Sequence, residues 1–108
     1  MKLATVRKLA LSLPEVTEQP HHDHASFCVR GKIFMTVPPA EDAIHLFVTE
    51  EDRERALAMY PDWTEKLLWG AKVAGLRVLL ETGEPAAIRS LVGQAHAAKA
   101  GRARAAPA

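Results

Sequence analysis

The sequence predicts an α+β domain of two layers, with helices packed on one face of an antiparallel sheet. Three observations point there. Apolar residues recur at three- and four-residue spacing near both ends of the chain and once in between. Through residues 15–48 they alternate with other residues instead, the pattern of strands. Those alternating runs follow one another across glycine and proline punctuation before a helical run returns.

The elements follow in order. Residues 2–12 read as a helix, because Leu3, Val6, Ala10 and Leu13 make one apolar stripe. Pro14 ends it, since the residue before a proline is pushed out of the helical region. Val16 to His22 reads as a first strand and Ser26 to Arg30 as a second, with Phe27 and Val29 on one face and Cys28 on the other. Gly31 suits the positive φ of a tight reversal between Arg30 and Lys32. Ile33, Met35 and Val37 then alternate with Phe34 and Thr36, until Pro38 and Pro39 close the strand. Ile44, Leu46 and Val48 alternate with His45 and Phe47.

Thr49 has the character of an N-cap, followed by Glu50, Glu51 and Asp52 where the helix dipole favours negative charge. Ala56, Leu57 and Tyr60 point this helix inward, and Pro61 stops it. Residues 62–72 hold Trp63 and Trp69 and read as a short turn or half-helix. Leu76, Val78 and Leu80 form a last strand that turns at Gly83. Pro85 opens the final helix, with Ile88, Leu91, Val92 and Ala95 on its inward face. Residues 1–98 are thus expected to be one domain, and residues 99–108 a basic, disordered tail.

Composition agrees with one ordinary domain. The chain has 108 residues, 48% hydrophobic and 25% charged, which is enough for a core without disulfides or metal. A disordered chain, a collagen, a coiled coil and a two-domain enzyme are excluded. Lys and Arg total 14 against 13 Asp and Glu, a net charge of +1. Bulk charge therefore gives duplex DNA no special attraction. The single cysteine, Cys28, reads as a reduced thiol in the cytoplasm. Arg7 and Lys8 interrupt any signal-peptide core, and no run approaches a membrane span.

The motifs resemble one family. Ala10-Leu11-Ser12-Leu13-Pro14-Glu15-Val16-Thr17-Glu18 resembles the helix end and "LP-x-V-x-E" opening of MmcQ/YjbR-like proteins. Ser26-Phe27-Cys28-Val29-Arg30-Gly31-Lys32-Ile33-Phe34 resembles their "SF-x-V-x-GKIF" hairpin. Trp69-Gly70 followed by Leu76-Arg77-Val78 is similar to their late "WG" and strand. The resemblance covers residues 3–97 and implies a CyaY-like, two-layer α+β fold, with a double-wing DNA-binding role predicted for the family. It implies no enzymatic reaction. Related frataxin-type domains meet iron through an acidic first helix, whereas here Lys2, Arg7 and Lys8 make that helix basic.

Several residues are candidates for chemistry. His21-His22-Asp23-His24 offers imidazoles and a carboxylate suited to zinc, nickel or copper. In an extended segment His22 and His24 share a face, so Cys28, His45 or a second chain would have to complete a site. Solvated imidazoles in a polar strand end and hairpin loop are the simpler explanation of the cluster. Cys28 has no evident base, and Ser12, Ser26 and Ser90 lack a nucleophile elbow. No phosphate-binding glycine loop is present. Arg30 and Lys32 flank a hairpin tip where a wing could meet phosphates, and Lys72 and Arg77 could extend that face. Trp63 and Trp69 suit either the core or a stacking surface.

The expectation is a non-enzymatic domain without a cofactor. Its first candidate role is weak DNA binding through Arg30, Lys32, Lys72 and Arg77, which requires these charges to cluster on one face. A second is a small-ligand or metal-binding module using His21, His22, His24 and Trp69 around a concave sheet, which requires a pocket bordered by them. A third is a protein-interaction domain, such as a homodimer through an exposed sheet face, which requires a large apolar patch.

Overall fold

The computed structural model describes residues 1–21 and 23–101. The elements are α1 (Leu3–Leu11), β1 (Val16–His21), β2 (His24–Val29), β3 (Lys32–Val37), β4 (Ala43–Leu46), α2 (Glu50–Met59), β5 (Thr64–Trp69), β6 (Lys72–Leu79) and α3 (Pro85–Ala100). The strands form a six-stranded sheet in the order β1-β2-β3-β4-β6-β5, with every neighbouring pair antiparallel. The α+β, two-layer architecture is as the residue pattern predicts.

The cross-strand pairing separates two faces. Phe27, Met35, Leu46 and Leu76 pair successively across β2, β3, β4 and β6, and all four are fully buried. They meet the helices. Val6 and Ala10 of α1 and Ile88, Leu91, Val92 and Ala95 of α3 complete this core, as their helical spacing requires. α3 lies on β2, β3 and β4, α1 on β1 and α3, and α2 on β5 and β6. Thr49 caps α2, its Oγ1 accepting from the Asp52 amide at 3.1 Å.

Neighbouring strand residues point to opposite faces. A second row therefore lies on the helix-free side: Gln19, Ser26, Thr36, His45, Arg77 and Glu65, paired in succession across all six strands. Ser26 is buried here, and its hydroxyl donates to the Gln19 carbonyl at 2.7 Å.

Three details differ from the sequence reading. Residues 62–72 are not a turn or half-helix, since they contain the edge strand β5. Its alternation is hidden because only Thr64 and Leu67 are buried and the other four residues are exposed, and the register shift at this hairpin puts its extra residue, Ala74, on β6. Ile33 does not share a face with Met35. The β2–β3 register jumps from Phe27↔Met35 to Cys28↔Ile33, so Phe34 is the extra residue of a bulge. Phe34 and Met35 both enter the core, and Ile33 turns to the helix-free side. Finally, α3 runs through Lys99 and Ala100 to Gly101, whose φ of 76° ends it. Those residues were expected in the tail; residues 102–108 lie outside the described residues.

The β2–β3 and β5–β6 hairpins use positive φ. Arg30 and Gly31 have φ of 53° and 80°, as a two-residue turn of type I′ requires. Gly70, with φ 65°, opens the turn between Trp69 and Lys72. Alternating strand directions put these two turns at the same end of the sheet.

Candidate ligand-binding groove

The helix-free face carries a groove of about 680 Å³. Its apolar floor and wall come from Ile33, Phe47, Val73, Ala74 and Trp69. Its polar part is formed by Thr36, His45, His24 and Asp23, and Lys72 and Lys99 line it as well.

Backbone geometry explains the concavity. Gly75 sits where a Cβ would lie 2.6 Å from the Leu46 carbonyl oxygen and 3.2 Å from Phe47 Cδ1. Only hydrogen fits there, so the Phe47 ring can pass close over β6. Trp69 then leans on Phe47, with ring centroids 5.7 Å apart and a tilt of 56°. Trp69 remains 62% exposed, a large aromatic surface that the core does not use.

The polar part is ordered by a relay. Glu65 Oε2 accepts from Arg77 Nε at 2.9 Å, and Arg77 Nη1 lies 3.3 Å from His45 Nε2. Asp42 adds a longer ion pair to Arg77 at 3.8 Å. Burial holds the His45 pKa below its ordinary value, and the charge of Arg77 and the nearby His24 push the same way, against Asp42. A neutral His45 accepts from Arg77 at Nε2 and keeps its proton on Nδ1. His24 packs 6.2 Å from His45, ring centre to ring centre, and its Nδ1 is 2.9 Å from Asp23 Oδ1.

Of the four basic residues singled out from sequence, Arg30, Lys32 and Lys72 stand at the end of the sheet that carries the β2–β3 and β5–β6 turns, and Arg77 stands further along β6. Arg30 sits at the β2–β3 turn, where it pairs with Glu15 at 3.2 Å and donates to the Ala100 carbonyl at the end of α3. That pairing lowers the Glu15 pKa and raises that of Arg30, through the hydrogen bond first and charge second. Arg77 lies on the helix-free face, held by Glu65 and Asp42. Lys32 and Lys72 are exposed at the starts of β3 and β6.

Of the histidine cluster, His24 reaches the groove. His22 lies outside the described residues, and His21 is described only as the last backbone position of β1. Among the described residues no group of three or more His, Cys, Asp or Glu is placed to hold a metal ion. Cys28 is buried. Trp63 is a core residue, stacked on Tyr60 at 4.6 Å. The other exposed large apolar residues are Leu11, Met59 and Leu68, of which only Leu68 adjoins Trp69 in sequence. Sequence reasoning missed Thr36, Phe47, Val73 and Lys99 as groove residues. Thr36, Phe47 and Val73 meet through cross-strand proximity, which needs the register, and Lys99 comes to them from the end of α3.

Residues 11–98 match the family model YjbR. The chain belongs to the YjbR family. Among solved structures, protein DR2400 of Deinococcus radiodurans, with the family-model domain DUF419, has a TM-score of 0.80 at 16% identity. The match covers 96% of this chain and 82% of that one, and it shows a shared fold. No curated protein matches the chain. Within this YjbR domain the groove lies inside the matched span, save Lys99, which follows it by one residue. Among the described residues no helix is long and apolar enough to cross a membrane.

Proposed function

We propose that this YjbR domain is a small-ligand-binding module whose site is the groove on the helix-free face of the sheet. The observation that carries this reading is Trp69, 62% exposed beside Phe47 in a groove of about 680 Å³. That volume falls in the range of small-molecule sites, roughly 300–1,000 Å³. So does the lining, a mostly apolar surface with a few convergent polar groups. A molecule with a flat apolar body would lie against Trp69 and Phe47, with a hydrogen-bonding edge toward Thr36 and His45.

The test is the fluorescence of N-phenylnaphthylamine, a neutral flat probe, titrated with the folded protein. Enhancement that disappears in Trp69→Ala supports the reading. Because Trp69 is mostly exposed, that variant should stay within about 1 kcal/mol of the parent's stability. No enhancement with the parent protein overturns the reading.

A second reading, weak DNA binding, has one observation in its favour. The β2–β3 and β5–β6 turns lie at the same end of the sheet, and exposed Lys32 and Lys72 follow them. Arg30 and Arg77 are engaged by carboxylates and add little. Two lysine–phosphate contacts give a slope of log affinity against log salt of only about −1.8. A mixed-sequence duplex titrated across a salt series tests this. A slope near that value, halved in Lys32→Ala, supports it, and absence of binding at low salt removes it.

A further inference from the structure

We infer that the groove selects organic anions, holding the acid group at its hairpin end between Lys72 and Lys99. The inference rests on the groove being a ligand site and names the chemical class of the ligand.

The groove is polarised along its length. Lys72 opens β6 and so stands at the end of the sheet that carries the β2–β3 and β5–β6 turns. The C-terminal end of α3 reaches that same end, because Arg30 of the β2–β3 turn donates to the Ala100 carbonyl. Lys99 therefore approaches the groove from there and lines it together with Lys72. Asp23 is the one carboxylate in the lining, and it belongs to the opposite end, beside the β1–β2 connection and against His24 Nδ1 at 2.9 Å.

The two groove lysines, like the other described lysines and Arg89, are not engaged by a carboxylate, whereas five of the six described arginines are. Arg7, Arg30, Arg53, Arg55 and Arg77 each pair with a carboxylate. Among the described residues, neither Lys72 nor Lys99 makes an ion pair. Two uncommitted ammonium groups at one end of the groove, with its single carboxylate at the other, set a positive local field there in a chain whose net charge is only +1. Low-dielectric walls strengthen that field for a ligand lying against Phe47 and Trp69. Its complement is an amphipathic anion: an aromatic or branched apolar body with a carboxylate or similar acid at one end. An acid at the other end would meet Asp23.

The test compares a naphthoate with the matching naphthamide, which share shape and differ in charge. Binding is read by amide and indole NMR shifts of the full chain near neutral pH. Trp69 is the reporting indole, and buried Trp63 is the internal control. The naphthoate is expected to bind about tenfold tighter than the naphthamide, and Lys72→Gln or Lys99→Gln to weaken the naphthoate about threefold or more each. The naphthamide should change by less than about twofold in either variant, which shows that the groove is intact. Equal affinity of the two probes, or naphthoate binding indifferent to both substitutions, overturns the inference while leaving the groove as a ligand site. Failure of both probes to move the Trp69 indole overturns the ligand-site reading itself, and the inference with it.

Discussion

Gly75→Ala is the sharpest probe of how the groove is built. The added methyl would lie 2.6 Å from the Leu46 carbonyl oxygen, a backbone atom of the neighbouring strand. To reach an ordinary contact of about 3.4 Å, β4 and β6 must part by about 0.8 Å at this point. The register there pairs Leu46 with Leu76 and His45 with Arg77, so the separation stretches the middle of the sheet. Phe47 Cδ1, at 3.2 Å, must also yield, and with it the floor under Trp69. Overpacking of this kind costs roughly 1–3 kcal/mol. A loss of about 2 kcal/mol lowers the melting temperature by roughly 8–16 °C in a domain of this size. Urea unfolding followed by circular dichroism measures it. Gly93→Ala supplies the control of opposite sign. Gly93 lies within α3, and a Cβ there meets nothing within 4 Å. Replacing a helical glycine with alanine stabilises by about 0.5–1 kcal/mol. A Gly75→Ala variant that unfolds at the parent's urea midpoint, or two substitutions that shift stability in the same direction, would show that β4 and β6 are not in close contact at Gly75.

Two further outcomes follow from the same contacts. Thr49→Ala removes the acceptor of the Asp52 amide and should cost about 1 kcal/mol by urea unfolding, with Thr49→Asn largely preserving stability. The lowered pKa of His45 means that the unfolded chain takes up its proton first as pH falls. The contribution of His45 to stability is thus complete above its ordinary value of 6.5 and declines as pH falls from there toward the folded value. The groups facing His45 are Arg77, His24 and Asp42, with Glu65 behind Arg77. Urea midpoints measured downward from about pH 8 should fall more for the parent than for His45→Gln, since all other histidines are shared. Parallel curves would show that His45 is not held neutral by its surroundings.

The fold was legible where one element decides its own pattern. The stripes of α1 and α3 and the capped acidic start of α2 each lie within a single run of residues. The turn at Gly31 is equally local. β5 was not legible, because Glu65, Lys66, Leu68 and Trp69 are all exposed and leave no apolar period to read. Ile33 was assigned the wrong face for another reason: one extra residue, Phe34, inverts the alternation, and a bulge leaves no mark in apolar spacing. The groove was only half visible. His24 and Trp69 stand out by residue type. Thr36, His45 and Phe47 become neighbours of Val73 and Lys72 only through pairing across β3, β4 and β6. Charge misled for a related reason, since Arg30 and Arg77 look free in sequence but face Glu15 and Glu65 across their hairpins.

In the proposed function the helix-free face, and not the helix layer or the hairpin tips, receives a ligand. Backbone amide shifts during titration with a naphthoate test it most directly. Changes are expected at Thr36, His45, Phe47 and Val73 and at the Trp69 indole, with the Trp63 indole unmoved. Changes centred on Arg7 and Glu18, or on Arg30 and Lys32, or no change at millimolar naphthoate, would contradict it.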